Sequence, residues 1–174
     1  LVTHRWILND RLETSKFQFC LNFNLGLQFH LIKPAVISGC WMYEVEILSK
    51  GPVILGGVNL RLLLMSISVL NALDTFGICI GHSDQVKLHE NLYFIEQGEI
   101  GDIITLTIDL DESQTIDFYR NGIKIEKSFS IQGGTNKCFY PALTLFEDQK
   151  VEVNLGHQKF RHLEVLESKD YIPL

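Results

Sequence analysis

ITLTIDL at residues 104–110 alternates apolar and polar residues along its whole length. This period of two predicts a β-strand with its apolar side toward a core and its polar side toward water. The polar turn DESQ (111–114), the alternating run TIDFYR (115–120) and Asn121-Gly122 follow. Asn-Gly between such runs favours a hairpin, because a type I′ turn needs positive φ at both central residues. Residues 101–126 are therefore predicted to form an antiparallel meander.

The same alternation recurs outward from this meander. It runs from Phe17 to Leu31, where Asn24 and Gly26 mark a bend or hairpin, and it returns at residues 41–48. Further short strands are predicted at residues 6–8, 53–58, 75–81, 86–91 and 92–95. At least ten short strands with frequent turn signals, and no long segment of helical period, indicate an all-β fold. We expect an antiparallel two-sheet β-sandwich that forms one domain over residues 1–174.

The composition and net charge of the chain argue against several classes of function. The formal net charge of −6 and a pI near 5.5 argue against a phosphate-binding surface, so nucleic acid is not an expected partner. The four cysteines (Cys20, Cys40, Cys79 and Cys138) lack the spacing of a zinc site. With no sequon, signal peptide or spanning segment, the sequence predicts an intracellular, cytoplasmic protein with reduced thiols and no membrane partner. The initial Leu1 suggests a domain excised from a larger protein.

Several motifs occur in an order that resembles the SPRY domain family. They are GCWMYEV (39–45), GDII (101–104), IDLD (108–111), IDFYRNG (116–122), FYPALTL (139–145) and VEVNLG (151–156). The resemblance covers residues 39–156 and implies a jelly-roll sandwich of the concanavalin type. It also implies a non-catalytic module, without cofactor or metal, that binds a protein or peptide. Such a domain would recruit substrates for a ubiquitin ligase, or would be a packing domain in a large assembly or channel.

The resemblance further implies a binding edge built from loops at one end of the sandwich, because rigid sheets position variable loops. The corresponding segments are residues 32–38, 59–74, 82–85 and 146–149. The candidate contact residues are Lys33, Pro34, Leu62, Leu63, Leu64, Met65, His82, Ser83, Asp84, Tyr93, Phe146, Glu147 and Asp148. The acidic pair in the last loop favours a basic or donor-rich partner.

Residues 60–73 depart from the family, which has a polar loop where this chain is strongly apolar. One interpretation is that the segment packs on the sandwich as ordinary core. A second is a contact surface covered by a partner or by the rest of the parent chain, from Asn59 to Asp74. An interfacial membrane segment is the least favoured interpretation, since flanking basic residues are lacking.

Two other classes of function are compatible with the sequence. Glu44 and Glu46 project from one face of a strand about 6.6–7 Å apart, and carboxylates spaced in this way can hydrolyse glycosides. Alternating glutamates more often form the solvated face of a strand, so catalysis is disfavoured. A lectin-like carbohydrate binder is the other alternative, with Asp84 and Asp148 as weak support. We interpret Cys79 as a side chain packed in an apolar strand and His82 as a polar residue of a surface loop. We predict that the protein is not an enzyme.

Overall fold

The computed structural model describes residues 6–8, 17–23, 27–32, 36–59, 75–80, 92–95, 98–131, 139–145, 149–163 and 171–173. Within these ranges the chain forms fourteen β-strands. In chain order they are β1 (Trp6–Leu8), β2 (Phe17–Phe23), β3 (Leu27–Ile32), β4 (Cys40–Ile47), β5 (Val53–Asn59), β6 (Thr75–Ile80), β7 (Leu92–Ile95), β8 (Ile103–Asp109), β9 (Thr115–Arg120), β10 (Ile123–Lys124), β11 (Phe129–Ser130), β12 (Phe139–Leu145), β13 (Val151–Asn154) and β14 (Ile172–Pro173).

The strands form two sheets, as the alternation predicted. The first sheet has the order β1-β13-β4-β8-β9-β10, with β11 beside β9 and β14 beside β4, and the second has the order β2-β3-β12-β5-β6-β7. The pairs are antiparallel except β14 with β4 and β6 with β7. The two-sheet β-sandwich is confirmed, whereas the strand expected at residues 86–91 lies outside the described residues.

Both predicted hairpins are present. Strands β2 and β3 pair antiparallel on either side of residues 24–26. Strand β10 folds back on β9 with Ile123 opposite Arg120, and Asn121 and Gly122 have φ angles of 50° and 80°. The two positive φ angles explain why Asn-Gly occupies this turn.

The core lies between the sheets. On the first sheet it includes Tyr43, Val45, Ile47, Ile104, Leu106, Ile108, Ile116, Phe118, Phe129, Val151 and Val153, and on the second Val53, Leu55, Phe139, Leu143 and Leu145. The hydroxyl of Tyr43 crosses this layer and donates a hydrogen bond of 3.0 Å to the carbonyl oxygen of Gly56. Burial raises the pKa of the Tyr43 phenol, so the hydroxyl stays protonated and keeps the bond between the sheets.

The polar side of β8 does not face water, and this corrects the sequence prediction. Thr105, Thr107 and Asp109 are each 1% exposed. The segment after β13 covers the outer face of the first sheet, where Phe160 packs with Met42 and Tyr119 in a second, small apolar cluster. The alternation of β8 therefore separates two buried environments, one apolar and one hydrogen-bonded.

Asp109 organises the turn between β8 and β9. Its carboxylate accepts hydrogen bonds from the backbone amides of Asp111, Glu112 and Ser113, at 2.9–3.1 Å, and from the Ser113 hydroxyl at 2.8 Å. Aspartate favours turns because its side chain can satisfy backbone donors a few residues ahead. The second acid of the DLD motif, Asp111, accepts a hydrogen bond from the Gly39 amide.

Replacement of Asp109 by alanine tests this role. Asp109→Ala removes a buried carboxylate that accepts three backbone amides of the turn, and we expect the free energy of unfolding to fall by about 3 kcal/mol. Urea denaturation followed by tryptophan fluorescence measures the change. Glu126→Ala is the matched control, because Glu126 is exposed, and it should shift stability by less than about 0.5 kcal/mol. Equal effects of the two substitutions would contradict the assignment.

Candidate functional site

Most of the predicted binding residues lie outside the described part of the chain. These are Lys33, Pro34, Leu62, Leu63, Leu64, Met65, His82, Ser83, Asp84, Phe146, Glu147 and Asp148. The backbone of Tyr93 is described and pairs with Ile78 in strands β7 and β6. The flanking strands nevertheless determine where each predicted loop leaves the sandwich.

The predicted loops leave the second sheet at two opposite ends. Asn59, where β5 ends, pairs with Phe139, where β12 begins. Val53, at the other end of β5, pairs with Leu145 on β12 and with Ile80 on β6. The loops after β6 and β12 thus begin at the end opposite the loop after β5, roughly 20 Å away along a seven-residue strand. The expectation that all four loops share one end does not agree with this register.

We call the end that contains Asn59 and Phe139 the Ile37 end, because Ile37 is its most exposed described apolar residue, at 74%. Its neighbour Val36 is buried and exchanges two backbone hydrogen bonds with Phe139, at 2.8 and 2.9 Å. On the other side Gly39 accepts a hydrogen bond from the Leu110 amide. Ile37 is therefore an exposed apolar side chain on a backbone fixed at both of its flanks.

Two further contacts hold the segment before β4 in place. The Trp41 indole donates a hydrogen bond to the carbonyl oxygen of Ser38, at 2.5 Å. Gly39 has a φ of +87°, and its amide donates to the Asp111 carboxylate at 3.0 Å. A residue with a side chain would be strained in this conformation, which explains the glycine before the CWMYEV strand.

The opposite end is built around a buried carboxylate, Asp102. It accepts hydrogen bonds of 2.8 Å from the Glu99 amide and from the Asn121 side-chain amide, and Arg120 Nη2 lies 2.6 Å from it. Desolvation would raise the pKa of Asp102, but the hydrogen bonds from Glu99 and Asn121 and the Arg120 charge outweigh it, so the pKa lies below its usual range. The Asn121 side-chain oxygen also accepts a hydrogen bond of 2.8 Å from the Ile103 amide, so Asn121 joins the hairpin turn to the start of β8.

Glu44 is not on a solvated face, which corrects the interpretation favoured from the sequence. It is 3% exposed, and its two carboxylate oxygens each lie 3.0 Å from the Arg161 backbone nitrogen. The His162 amide and the Thr105 hydroxyl donate to the same carboxylate at 3.3 and 3.5 Å. The neighbouring Glu46 pairs with the Arg161 guanidinium at 2.6 Å. The two glutamates that suggested hydrolysis hold the C-terminal segment to the sheet.

Glu44 and Glu46 also line a small, partly open cleft with Glu152, Asn154, Gln158, Lys159 and Arg161. In the part of the chain that the structure describes, no three His, Cys, Asp or Glu side chains group as a metal site requires. Cys40 is reduced and half-buried. Among the described residues, no helix has the length and apolar character needed to cross a membrane.

Sequence reasoning missed three features of these surfaces. The turn role of Asp109 had a local signal, since an aspartate before polar residues is typical of such turns. The exposure of Ile37 had no local sequence signal. The contact between Glu44 and Arg161 had none either, because it joins residues 117 positions apart. The aromatic-basic pair Phe160-Arg161 is the one sequence feature that could have drawn attention to the C-terminal segment.

The described residues thus define an antiparallel β-sandwich with loops at two ends and a covered outer face. The model of the SPRY domain family matches residues 40–158, more than half of the chain, and the chain belongs to this family. SPRY domains are commonly protein-interaction modules and are generally non-catalytic.

Two individual comparisons support this assignment. The E3 ubiquitin-protein ligase RKP of Arabidopsis thaliana is 28% identical over 127 residues, which cover 72% of this chain and 10% of that protein. The chain therefore spans about a tenth of that relative. The crystal structure of the SPRY domain of human HERC1 matches with a TM-score of 0.54 at 19% identity, over 84% of this chain and 99% of that one. The structural likeness supports the fold.

The acid dependence of stability tests the Asp102 contacts. Because its folded pKa is lowered, Asp102 contributes stability fully above the ordinary aspartate pKa of about 3.9, and this is lost as pH falls through the folded pKa. Asp102→Asn should cost about 2 kcal/mol at pH 7 and lose less stability between pH 5 and pH 2 than the unchanged protein. Urea denaturation over this pH range measures both. Parallel pH profiles for the two proteins would refute the role of Asp102.

Proposed function

We propose that this SPRY domain binds a peptide or a folded protein through the Ile37 end of the sandwich. The observation that carries the proposal is the 74% exposure of Ile37 on a segment whose backbone is fixed by Phe139 and Leu110. An apolar side chain on an ordered backbone requires little further loss of backbone entropy on binding, and it can fill a pocket on a partner. Family membership supports protein binding as the general role.

The strands that flank the predicted contact residues end at two different ends of the sandwich. Lys33 and Pro34 precede Val36, and residues 62–65 belong to the connection from Asn59 to Thr75, so both sets adjoin strand ends at the Ile37 end. We propose these residues as the main contact set with Ile37. The apolar composition of residues 60–73 suits a surface that a partner covers.

The remaining candidates adjoin the opposite end. His82, Ser83 and Asp84 follow β6, and residues 146–148 follow β12, at the end where Ile80 and Leu145 pair with Val53. Ile123, 75% exposed, lies beside this end on the hairpin next to Asp102. A partner bound there would contact a different surface, so a pair of substitutions can separate the two possibilities.

Matched isoleucine substitutions test which end binds. Ile37→Asp places a charge in the proposed contact and should lower partner binding at least about tenfold, whereas Ile123→Asp should leave it unchanged. The wild-type chain and both variants are immobilised, and partners captured from extracts of the source cells are quantified by mass spectrometry and then by titration. Each variant is first shown to unfold at the wild-type urea concentration.

The other results count against the proposal. Loss of binding in Ile123→Asp alone would assign the partner to the opposite end. Unchanged binding in both variants would exclude a contact at either isoleucine.

We also propose that the bound partner is a substrate of a ubiquitin ligase in the same protein or complex, inside the cell. The support is the likeness to the ligase RKP. In the complete parent protein, Ile37→Asp should reduce ubiquitin transfer to the captured partner while ligase self-modification continues. Undiminished transfer to the partner would separate binding from ligase activity and favour a packing role in a larger assembly.

A further inference from the structure

The C-terminal segment covers the outer face of the first sheet as a strap, which we define as residues 157–163 and 171–173. Its most buried polar contact is the Glu44 carboxylate, which accepts the amides of Arg161 and His162. A carboxylate removed from water costs several kcal/mol unless it is hydrogen-bonded or paired. The outer face therefore requires donors, and in this structure the strap supplies them.

The face also requires a positive charge. Glu46 and Glu152 lie directly opposite each other on β4 and β13. Like charges in such cross-strand pairs repel each other. The Arg161 guanidinium lies 2.6 Å from Glu46, and the Gln158 side-chain amide lies 3.5 Å from Glu152. The strap thus offsets a repulsion that belongs to the sheet itself.

The apolar contact of the strap is small and separate from the main core. Phe160 packs on Met42 and Tyr119, with Tyr171 partly buried beside them. Only two residues of the strap, Ile172 and Pro173, pair with β4. Segments with few apolar contacts and short hydrogen-bonded pairing open more readily than a domain core.

We propose that the outer face beneath the strap is a docking surface for a partner peptide that presents an aromatic side chain followed by an arginine. The strap occupies this surface in competition with the partner. The contacts of the strap define which groups of the partner each residue would bind. Met42 and Tyr119 would contact the aromatic ring, and Glu44 would accept backbone amides. Glu46 and Glu152 would face the arginine side chain. This surface is distinct from both loop ends, and its use does not depend on the Ile37 contact.

Competition by a tethered segment has a measurable consequence. A partner binds only the fraction of molecules in which the strap is open, so its apparent affinity is reduced by that fraction. Weakening the strap without changing the face should therefore strengthen binding. Phe160→Ala meets this condition, because Phe160 belongs to the strap. Gly156→Ala is a second route, since a Cβ there would lie 2.1 Å from Pro173 Cβ at a φ of +95°.

The experiment uses the full chain and a labelled peptide with the sequence of residues 157–163, HQKFRHL. Hydrogen exchange measures the amides of Arg161 and His162 against those of β8, and fluorescence anisotropy measures peptide binding. In Phe160→Ala the two strap amides should exchange at least about tenfold faster with β8 unchanged, and the peptide should bind at least about tenfold more tightly than to wild type. Lys50→Ala, at an exposed position outside the strap and the cleft, should do neither.

Three results would overturn the proposal. Unchanged exchange at residues 161 and 162 would mean that Phe160 does not hold the strap. Joint exchange of the strap with β8 would make the strap part of the global core. An opened strap whose face does not bind the peptide, or binds equally a peptide with alanine for both phenylalanine and arginine, would exclude the docking surface. If Phe160→Ala does not fold, Gly156→Ala gives the same three readouts.

Discussion

Strand β4 is buried on both faces, and the rest of the structure accommodates this constraint. Its inner face places Tyr43 between the sheets, where the hydroxyl reaches the Gly56 carbonyl oxygen. Its outer face places Met42 and Glu44 under the C-terminal segment. A buried carboxylate must find donors. The amides of Arg161 and His162 supply them, so one glutamate on a central strand anchors residues 161 and 162 to the outer face of the sheet.

Other acidic side chains also act within the fold rather than on a binding surface. Asp109 holds the turn after β8, and Asp102 holds the end of the β9–β10 hairpin through Asn121. Asp117 pairs with Lys124 at 3.1 Å on the same hairpin. The ion pairs of Asp102 with Arg120 and of Asp117 with Lys124 are already cancelled within the net charge of −6. The acids of the GD and DLD motifs lie next to turns because the backbone amides of these turns need acceptors.

The two-ended arrangement of loops has a functional consequence. Because β5 pairs with β12 and β6 in antiparallel register, β5 ends at the opposite end of the sheet from β6 and β12. The proposed contacts at the Ile37 end and on the outer face of the first sheet would therefore be separate surfaces. A larger protein can use such surfaces separately, for recruitment at one and packing at another.

The sequence by itself determined the strands, both hairpins and the family. Alternation at residues 104–110 and Asn121-Gly122 act through neighbours in the chain, and their effect on backbone geometry is the same in any sandwich. Only the tertiary structure decided that Thr105 and Glu44 are buried, that Ile37 is exposed, and that the strands flanking the predicted loops end at two different ends of the sandwich. These properties depend on contacts between distant residues, such as Glu44 with Arg161, 117 positions apart. A period of two distinguishes the faces of a strand, but it does not say what will cover each face.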